Sequence, residues 1–84
     1  MEKLSREEIQ EKVMSYIIEE QSLKPEQVKT ESLLIEDLGF DSLDFAEMAL
    51  DLEEQFNIEL PSENEEIKKI RTVNDVVNYL FNAQ

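Results

Sequence analysis

The chain has no cysteine, no histidine and no tryptophan, and only one glycine and two prolines in 84 residues. Without cysteine there is no disulfide, no thiolate ligand for a metal and no protein thiol for covalent chemistry. Without histidine the usual imidazole base and the usual neutral metal ligand are also missing. A lone serine beside an aspartate lacks the orienting base that a hydroxyl nucleophile requires, so the chain is read as a non-enzyme. Few glycines and prolines leave few turn signals and favour an all-helical fold. No apolar run approaches the roughly 20 residues of a membrane span, and the first residues, Met-Glu-Lys-Leu-Ser, lack the basic start and apolar block of a secretion signal. A cytoplasmic, monomeric protein made of a single domain over residues 1–84 is expected.

Basic residues are absent from one whole region. Residues 30–67 contain no Lys or Arg and 13 Asp or Glu, so this segment carries a formal charge equal to the −13 of the whole chain. Nucleic acid is an improbable ligand for it, because phosphate backbones are bound through Lys and Arg that release counterions. Partners with basic patches are steered toward this half instead, at rates that fall with salt.

What is present is helical periodicity. An apolar content of 40% in a clear pattern argues against disorder. At this length the chain buries roughly 60 to 65% of its extended-chain surface, enough for a small core without a deep cleft. Ser5-x-x-Glu8 is a capping box with Leu4 and Ile9 placed as a hydrophobic staple. Ile9, Val13, Tyr16 and Ile17 then form an i, i+4, i+7, i+8 core face on a helix that runs to Glu20 or Gln21. The connection that follows holds Leu23, Val28, Leu33, Leu34, Ile35 and Leu38, too apolar for a solvated linker, and is expected to pack across the bundle, with one helical turn at Pro25-Glu-Gln. Asn57 reads as a left-handed helix stop before an extended exit through Pro61, and Ser62 as the cap of a short third helix over residues 63–67. Thr72-x-x-Asp75 caps a last helix whose Val73, Val76, Val77 and Leu80 fit one face, with Phe81 beside it.

The stretch from Glu36 to Phe56 is a glycine-marked loop running into an acidic helix. Phe45, Met48, Ala49, Leu52 and Phe56 form one apolar stripe, expected to be buried. Leu43, Ala46, Glu47 and Leu50 fall on a second stripe, rimmed by Asp44, Asp51, Glu53 and Glu54. A surface helix ordinarily has one apolar stripe and a polar back, so the second is either a docking face for a basic partner or a pair of lone exposed leucines. Asp37, Gly39, Asp41 and Asp44 do not follow the alternating ligands of a helix–loop–helix calcium site, and no specific metal site is expected. At the junction Asp41 reads as the cap and Ser42 as the first helical residue. A hydroxyl there suits an attached phosphate group, which the free N–H donors and the helix dipole both favour. Ordinary capping is the simpler account of the same serine.

Glu36-Asp-Leu-Gly-Phe-Asp-Ser-Leu-Asp44, followed by Leu52-Glu-Glu-Gln-Phe56 and Ile58-Glu-Leu-Pro61, resembles the acyl carrier protein family around its modified serine, and the likeness covers nearly the whole chain. The resemblance implies a four-helix bundle with a long first loop and a short third helix. It implies that Ser42 carries 4′-phosphopantetheine, attached from coenzyme A by a phosphopantetheinyl transferase through a phosphodiester bond. The arm's thiol, which the protein lacks, would hold acyl groups as thioesters and present them to enzymes of fatty acid or related lipid and polyketide biosynthesis. It also implies that Asp41, Leu43, Asp44, Ala46, Glu47, Leu50 and Glu54 form the docking face for enzymes with basic patches. Two positions depart from the family pattern: Phe40 stands where a small residue is common, and Ala46 where a larger aliphatic is common. Partner enzymes outside general fatty acid synthesis therefore remain open. The start at Met1 and the short ending suggest a free-standing carrier. The alternatives are an unmodified acidic helical adaptor that binds a basic partner through the Leu43/Leu50 face, and an aminoacyl or peptidyl carrier, although the Gly-Gly-x-Ser type of motif is not matched.

Concentrated negative charge makes stability depend on ionic strength. Like charges on a small body repel, and added salt or divalent cations screen them. Thermal melts over a salt series are expected to show the melting temperature rising by several degrees; a midpoint independent of salt would contradict this.

Overall fold

The computed structural model describes residues 4–58 and 69–83. Three α-helices and one short 3-10 turn make up the regular structure among them: α1 at Arg6–Glu20, the turn at Pro25–Gln27, α2 at Ser42–Phe56 and α3 at Val73–Ala83. The exit after Ile58 and the short helix expected at residues 63–67 lie outside the described residues.

Each helix starts where a side chain can take up its unpaired N–H groups. Ser5 Oγ accepts the Glu8 N–H at 3.2 Å and Glu8 Oε1 accepts the Ser5 N–H at 3.3 Å, the reciprocal box read from Ser-x-x-Glu. Leu4 packs against the core beside the fully buried Ile9, as a staple requires. α1 closes on Ser22, at φ 53, with the Leu23 N–H returning to the Ile18 carbonyl at 3.0 Å and the Ser22 N–H to the Glu19 carbonyl at 3.4 Å. These are the two bonds of a Schellman stop, made here with serine in the left-handed conformation that glycine usually takes. α2 stops at Asn57, also left-handed at φ 53, as its sequence indicated.

The start of α3 shapes the whole first connection. Val73 and Asn74 donate their N–H groups to the carbonyls of Ser32 at 3.1 Å and Thr30 at 2.8 Å, and the Leu34 N–H donates to the Arg71 carbonyl at 2.9 Å. Leu33 and Thr72 thereby pair as an isolated antiparallel bridge. The loop backbone thus satisfies donors that α3 cannot satisfy itself, and α3 in turn holds the loop. Pinned in this way, the connection places Val28, Leu34, Leu38 and Phe40 in the core with Ile9, Val13 and Ile17 of α1, Met48 and Leu52 of α2, and Val73, Val76, Val77 and Leu80 of α3. Arg6 adds a polar link between the beginnings of α1 and α3, donating to Asn74 Oδ1 at 2.8 Å.

Two apolar expectations are corrected, those for Ile35 and Tyr16. Ile35 is 66% exposed, because the Leu33–Gly39 turn that buries Leu34 and Leu38 turns the residue between them outward. Phe81 is 40% exposed, at the edge of the α3 stripe. Tyr16 is only half-buried: its ring lies against the core while its hydroxyl reaches solvent and α2. Phe40 is buried at 3% and acts as a core residue, away from the outward face of α2. Among the described residues no helix is long and apolar enough to cross a membrane.

At the N-terminus of α3, Asp75 Oδ2 accepts the N–H groups of Arg71 and Thr72, both at 3.0 Å, and Thr72 Oγ1 accepts the Asp75 N–H at 3.1 Å. Burial pushes the Asp75 carboxyl up, but these N–H donors, the Thr72 side chain and the Arg71 charge outweigh it and hold the carboxyl below its ordinary range. A carboxyl lowered on folding stabilises the fold above its unfolded pKa and loses that contribution as pH falls through the folded value. Asp75→Ala is therefore expected to cost about 1 kcal/mol at neutral pH, or roughly 5 °C in melting temperature. The gap to the parent protein is expected to close below about pH 4, as thermal melts across pH would show.

Candidate functional site

The loop that precedes α2 is wound tightly enough to fix where the helix begins. Asp37 Oδ2 accepts the Leu33 N–H at 2.8 Å, and the Leu33 carbonyl receives the N–H groups of Asp37 at 3.0 Å and Leu38 at 3.1 Å. Gly39 then adopts φ 76, a conformation that side chains resist, although a Cβ there would meet nothing within 4 Å. Backbone conformation, not space, calls for the glycine. The Phe40 N–H closes the turn on the Leu34 carbonyl at 2.9 Å, and the extended Asp41 follows as the cap.

Asp41 Oδ1 accepts the Asp44 N–H at 2.8 Å while Asp44 Oδ2 accepts the Asp41 N–H at 3.1 Å, and the Phe45 N–H bonds to the Asp41 carbonyl at 3.0 Å. Two of the four N–H groups of the first turn are thereby taken. Those of Ser42 and Leu43 donate to no oxygen among the described residues and remain available to an anion. Ser42 is the first helical residue; its side chain is exposed, and no hydrogen bond engages its hydroxyl among the described residues.

The second stripe is real as an outward face. Leu43 is 66% and Leu50 63% exposed, and Ala46, Glu47 and Glu54 are exposed with them, on the side of α2 that faces away from the core. Asp44 is half-buried and its carboxylate is turned back onto the Asp41 N–H, so it sits apart from this row. On the inner side Met48 and Leu52 are buried, with Phe45, Ala49 and Phe56 half-buried. Phe45, Met48, Ala49 and Leu52 line a small, almost wholly apolar cavity together with Ile70 and with Val76 and Tyr79 of α3, and it has room for about one water-sized sphere. Phe45, its outermost residue along α2, stands one turn from Ser42.

Two cavity residues and one long-range bond escape the sequence pattern. Ile70 lies on no periodic element, Tyr79 sits at the margin of the α3 stripe, and Asp51 receives the Tyr16 hydroxyl at 2.6 Å across 35 residues of chain. Spacing from Val76 could have brought in Tyr79; nothing local pairs Tyr16 with Asp51. Partial burial raises the Tyr16 phenol's pKa, and the bond to Asp51 and the charges of Asp51, Glu20 and Glu47 raise it further, so the hydroxyl is a donor at neutral pH. Among the described residues no group of three or more carboxylates is placed to hold a metal ion.

The family model for the phosphopantetheine attachment site matches residues 11–80. The chain belongs to the acyl carrier protein family. It is 50% identical over 68 residues to the acyl carrier protein of Wolinella succinogenes, an alignment covering 81% of this chain and 87% of that protein. It superposes on the acyl carrier protein of Enterococcus faecalis, a protein of high thermal stability, with a TM-score of 0.79 and 31% identity over 96% of this chain and all of the other. The all-α architecture expected from the sequence is therefore that of the family. Acyl carriage is its function, with 4′-phosphopantetheine as the covalently attached group. The residues at the start of α2 fit such a group: an unengaged outward hydroxyl beside two unpaired N–H donors can accept a phosphodiester.

The cap and the charge of Asp41 can be separated. Asp41→Asn keeps a side-chain oxygen for the Asp44 N–H and is expected to leave the melting temperature within about 2 °C of the parent; Asp41→Ala is expected to lower stability by about 1 kcal/mol, since Asn and Asp are equivalent caps and Ala is not one. Denaturant unfolding of both variants checks it.

Proposed function

We propose that Ser42 bears the 4′-phosphopantetheine arm and that the outward face of α2 receives the enzymes that load and use it. The single observation that carries this is the exposed, unengaged Ser42 hydroxyl at the first position of a helix whose first two N–H groups are unpaired. When bound, the arm supplies the thiol that the cysteine-free chain lacks. The chain's own residues do the rest. Asp41 holds the helix start, and Ser42 and Leu43 offer N–H donors to the phosphate. Leu43, Ala46 and Leu50 offer apolar contact, and Glu47 and Glu54 attract cationic side chains, with Asp41 and Asp44 adding negative charge near the serine. As a carrier the protein binds and presents, and the catalytic groups belong to its partners, which are a phosphopantetheinyl transferase and acyl-processing enzymes with basic docking patches.

The α2–α3 cavity supports an acyl cargo over an aminoacyl one. Its lining is apolar, and each methylene withdrawn from water there gains roughly 0.8 kcal/mol. The resting cavity is far smaller than an acyl chain, so a chain that enters must part its walls. The flexible Met48 is suited to yield. A single, monomeric carrier domain over residues 1–84, acting in the cytoplasm, completes the reading.

Incubation with coenzyme A and a broad-specificity phosphopantetheinyl transferase, followed by intact-mass measurement, tests it. One phosphopantetheine addition is expected on the parent protein and none on Ser42→Ala. No addition, or an addition that survives the substitution, overturns the assignment and leaves the acidic adaptor as the better reading. With Glu47→Gln and Glu54→Gln combined, the initial rate is expected to fall severalfold at low salt and to depend less on salt than the parent rate does.

A further inference from the structure

Tyr16 is held by its ring and acts through its hydroxyl. The ring packs on the core from α1, which fixes the direction of the phenol, and the hydroxyl donates to Asp51 Oδ2 at 2.6 Å, within the short range of bonds to an ionised acceptor. Glu20 of α1 and Glu47 of α2 also act electrostatically on the phenol, while Asp51 is the carboxylate bonded to its hydroxyl. Asp51 occupies a particular place on α2. At about 100° per residue it falls on the edge between the outward face of Leu43, Glu47 and Leu50 and the inner face of Met48 and Leu52, a little under a quarter of a turn from the middle of each. A bond made at the edge of a helix resists rotation of that helix about its own axis. Rotation of α2 would turn Met48 and Leu52 relative to Val76 and Tyr79 across the cavity, and would re-aim Leu43 and Leu50 on the other side.

We propose that Tyr16 is a positioning residue for α2: its hydroxyl, bonded to Asp51, sets the rotation of that helix and with it both the width of the α2–α3 cavity and the aim of the outward face. The consequence for cargo and partners rests on the reading of the chain as a carrier armed at Ser42; the tie between the helices does not.

The apo protein suffices for the test. Amide hydrogen exchange is measured for the parent and for Tyr16→Phe, Asp51→Ala, Asp51→Asn and the combined Tyr16→Phe/Asp51→Ala variant, with the methyl resonance of Met48 followed in parallel. Tyr16→Phe keeps the ring and removes the hydroxyl. Asp51→Ala removes the acceptor, and Asp51→Asn removes the charge but keeps an oxygen in place. Exchange in the 46–52 segment is expected to rise about fivefold to tenfold in Tyr16→Phe and in Asp51→Ala, with the Met48 methyl shifted in both. Buried amides of α1 and α3 are expected to change much less, Asp51→Asn to match the parent, and the combined variant to be no looser than either single one. Uniform acceleration in all three helices would reduce Tyr16 to a general contributor to stability and overturn the proposal. Asp51→Asn behaving like Asp51→Ala would overturn it too, since charge and not the bond would then be responsible, as would unchanged exchange in α2. Failure of Ser42 to take the arm would leave these measurements as they are, so the two readings fall separately.

Discussion

The reciprocal bonds between Asp41 and Asp44 decide where α2 begins, and most of what the site can do follows from that boundary. With the cap at Asp41, Ser42 becomes the first helical residue, its side chain outside the helix and its N–H group unpaired. A shift of the cap by one residue would rotate every later side chain by about 100°, carrying the outward leucines toward the core and Met48 and Leu52 toward water. The cap is held in turn by the loop before it. Gly39 supplies a left-handed residue, Phe40 anchors the end of the turn in the core, and the carbonyls of Thr30 and Ser32 are bound to the first N–H groups of α3. The Ser42 end of α2 is thus positioned by the helix farthest from it in sequence.

Electrostatics runs against stability along α2 and in favour of recognition. No basic residue stands in the last turn, where cations would complement the helix dipole, and Glu53 and Glu54 are there instead. Leu50 lies exposed one turn before these acids and Leu43 at the other end of the same face, each more than 60% accessible. Local rules broken together on one helix face mark a surface shaped for something other than the fold's own stability. An acyl carrier must be handled by several enzymes in succession, and a face with few apolar contacts and many acids favours fast encounter and ready release over tight binding.

The interior of the same helix obeys the opposite demand. Met48 and Leu52 are buried as in any small core, yet the packing against Val76 and Tyr79 leaves an apolar gap of about one water-sized sphere. A close-packed interior resists opening, and a gap edged by half-buried Phe45 and Ala49 is a weak point in that packing. The Tyr16–Asp51 bond lies on the flank of α2 and joins α1 to the helix that forms one wall of this gap.

Local patterns carried much of this. Ser5-x-x-Glu8, Thr72-x-x-Asp75 and Asn57 marked helix ends because capping depends on residues three or four apart, and the stripes of α1, α2 and α3 were visible because burial repeats with the helical turn. Asp41 as cap and Ser42 as first residue were legible for the same reason. The outward turn of Ile35, the burial of Phe40, the place of Ile70 and Tyr79 around the cavity and the bond from Tyr16 to Asp51 were not, since each depends on residues distant in sequence. By itself the sequence determined the three described α-helices, their caps, the acidic half and the serine, all of which follow from local chemistry. Only the tertiary structure decided which loop residues face inward, where the helices leave a gap and which hydroxyl of α1 meets which carboxylate of α2, because those are set by how separate segments meet in space.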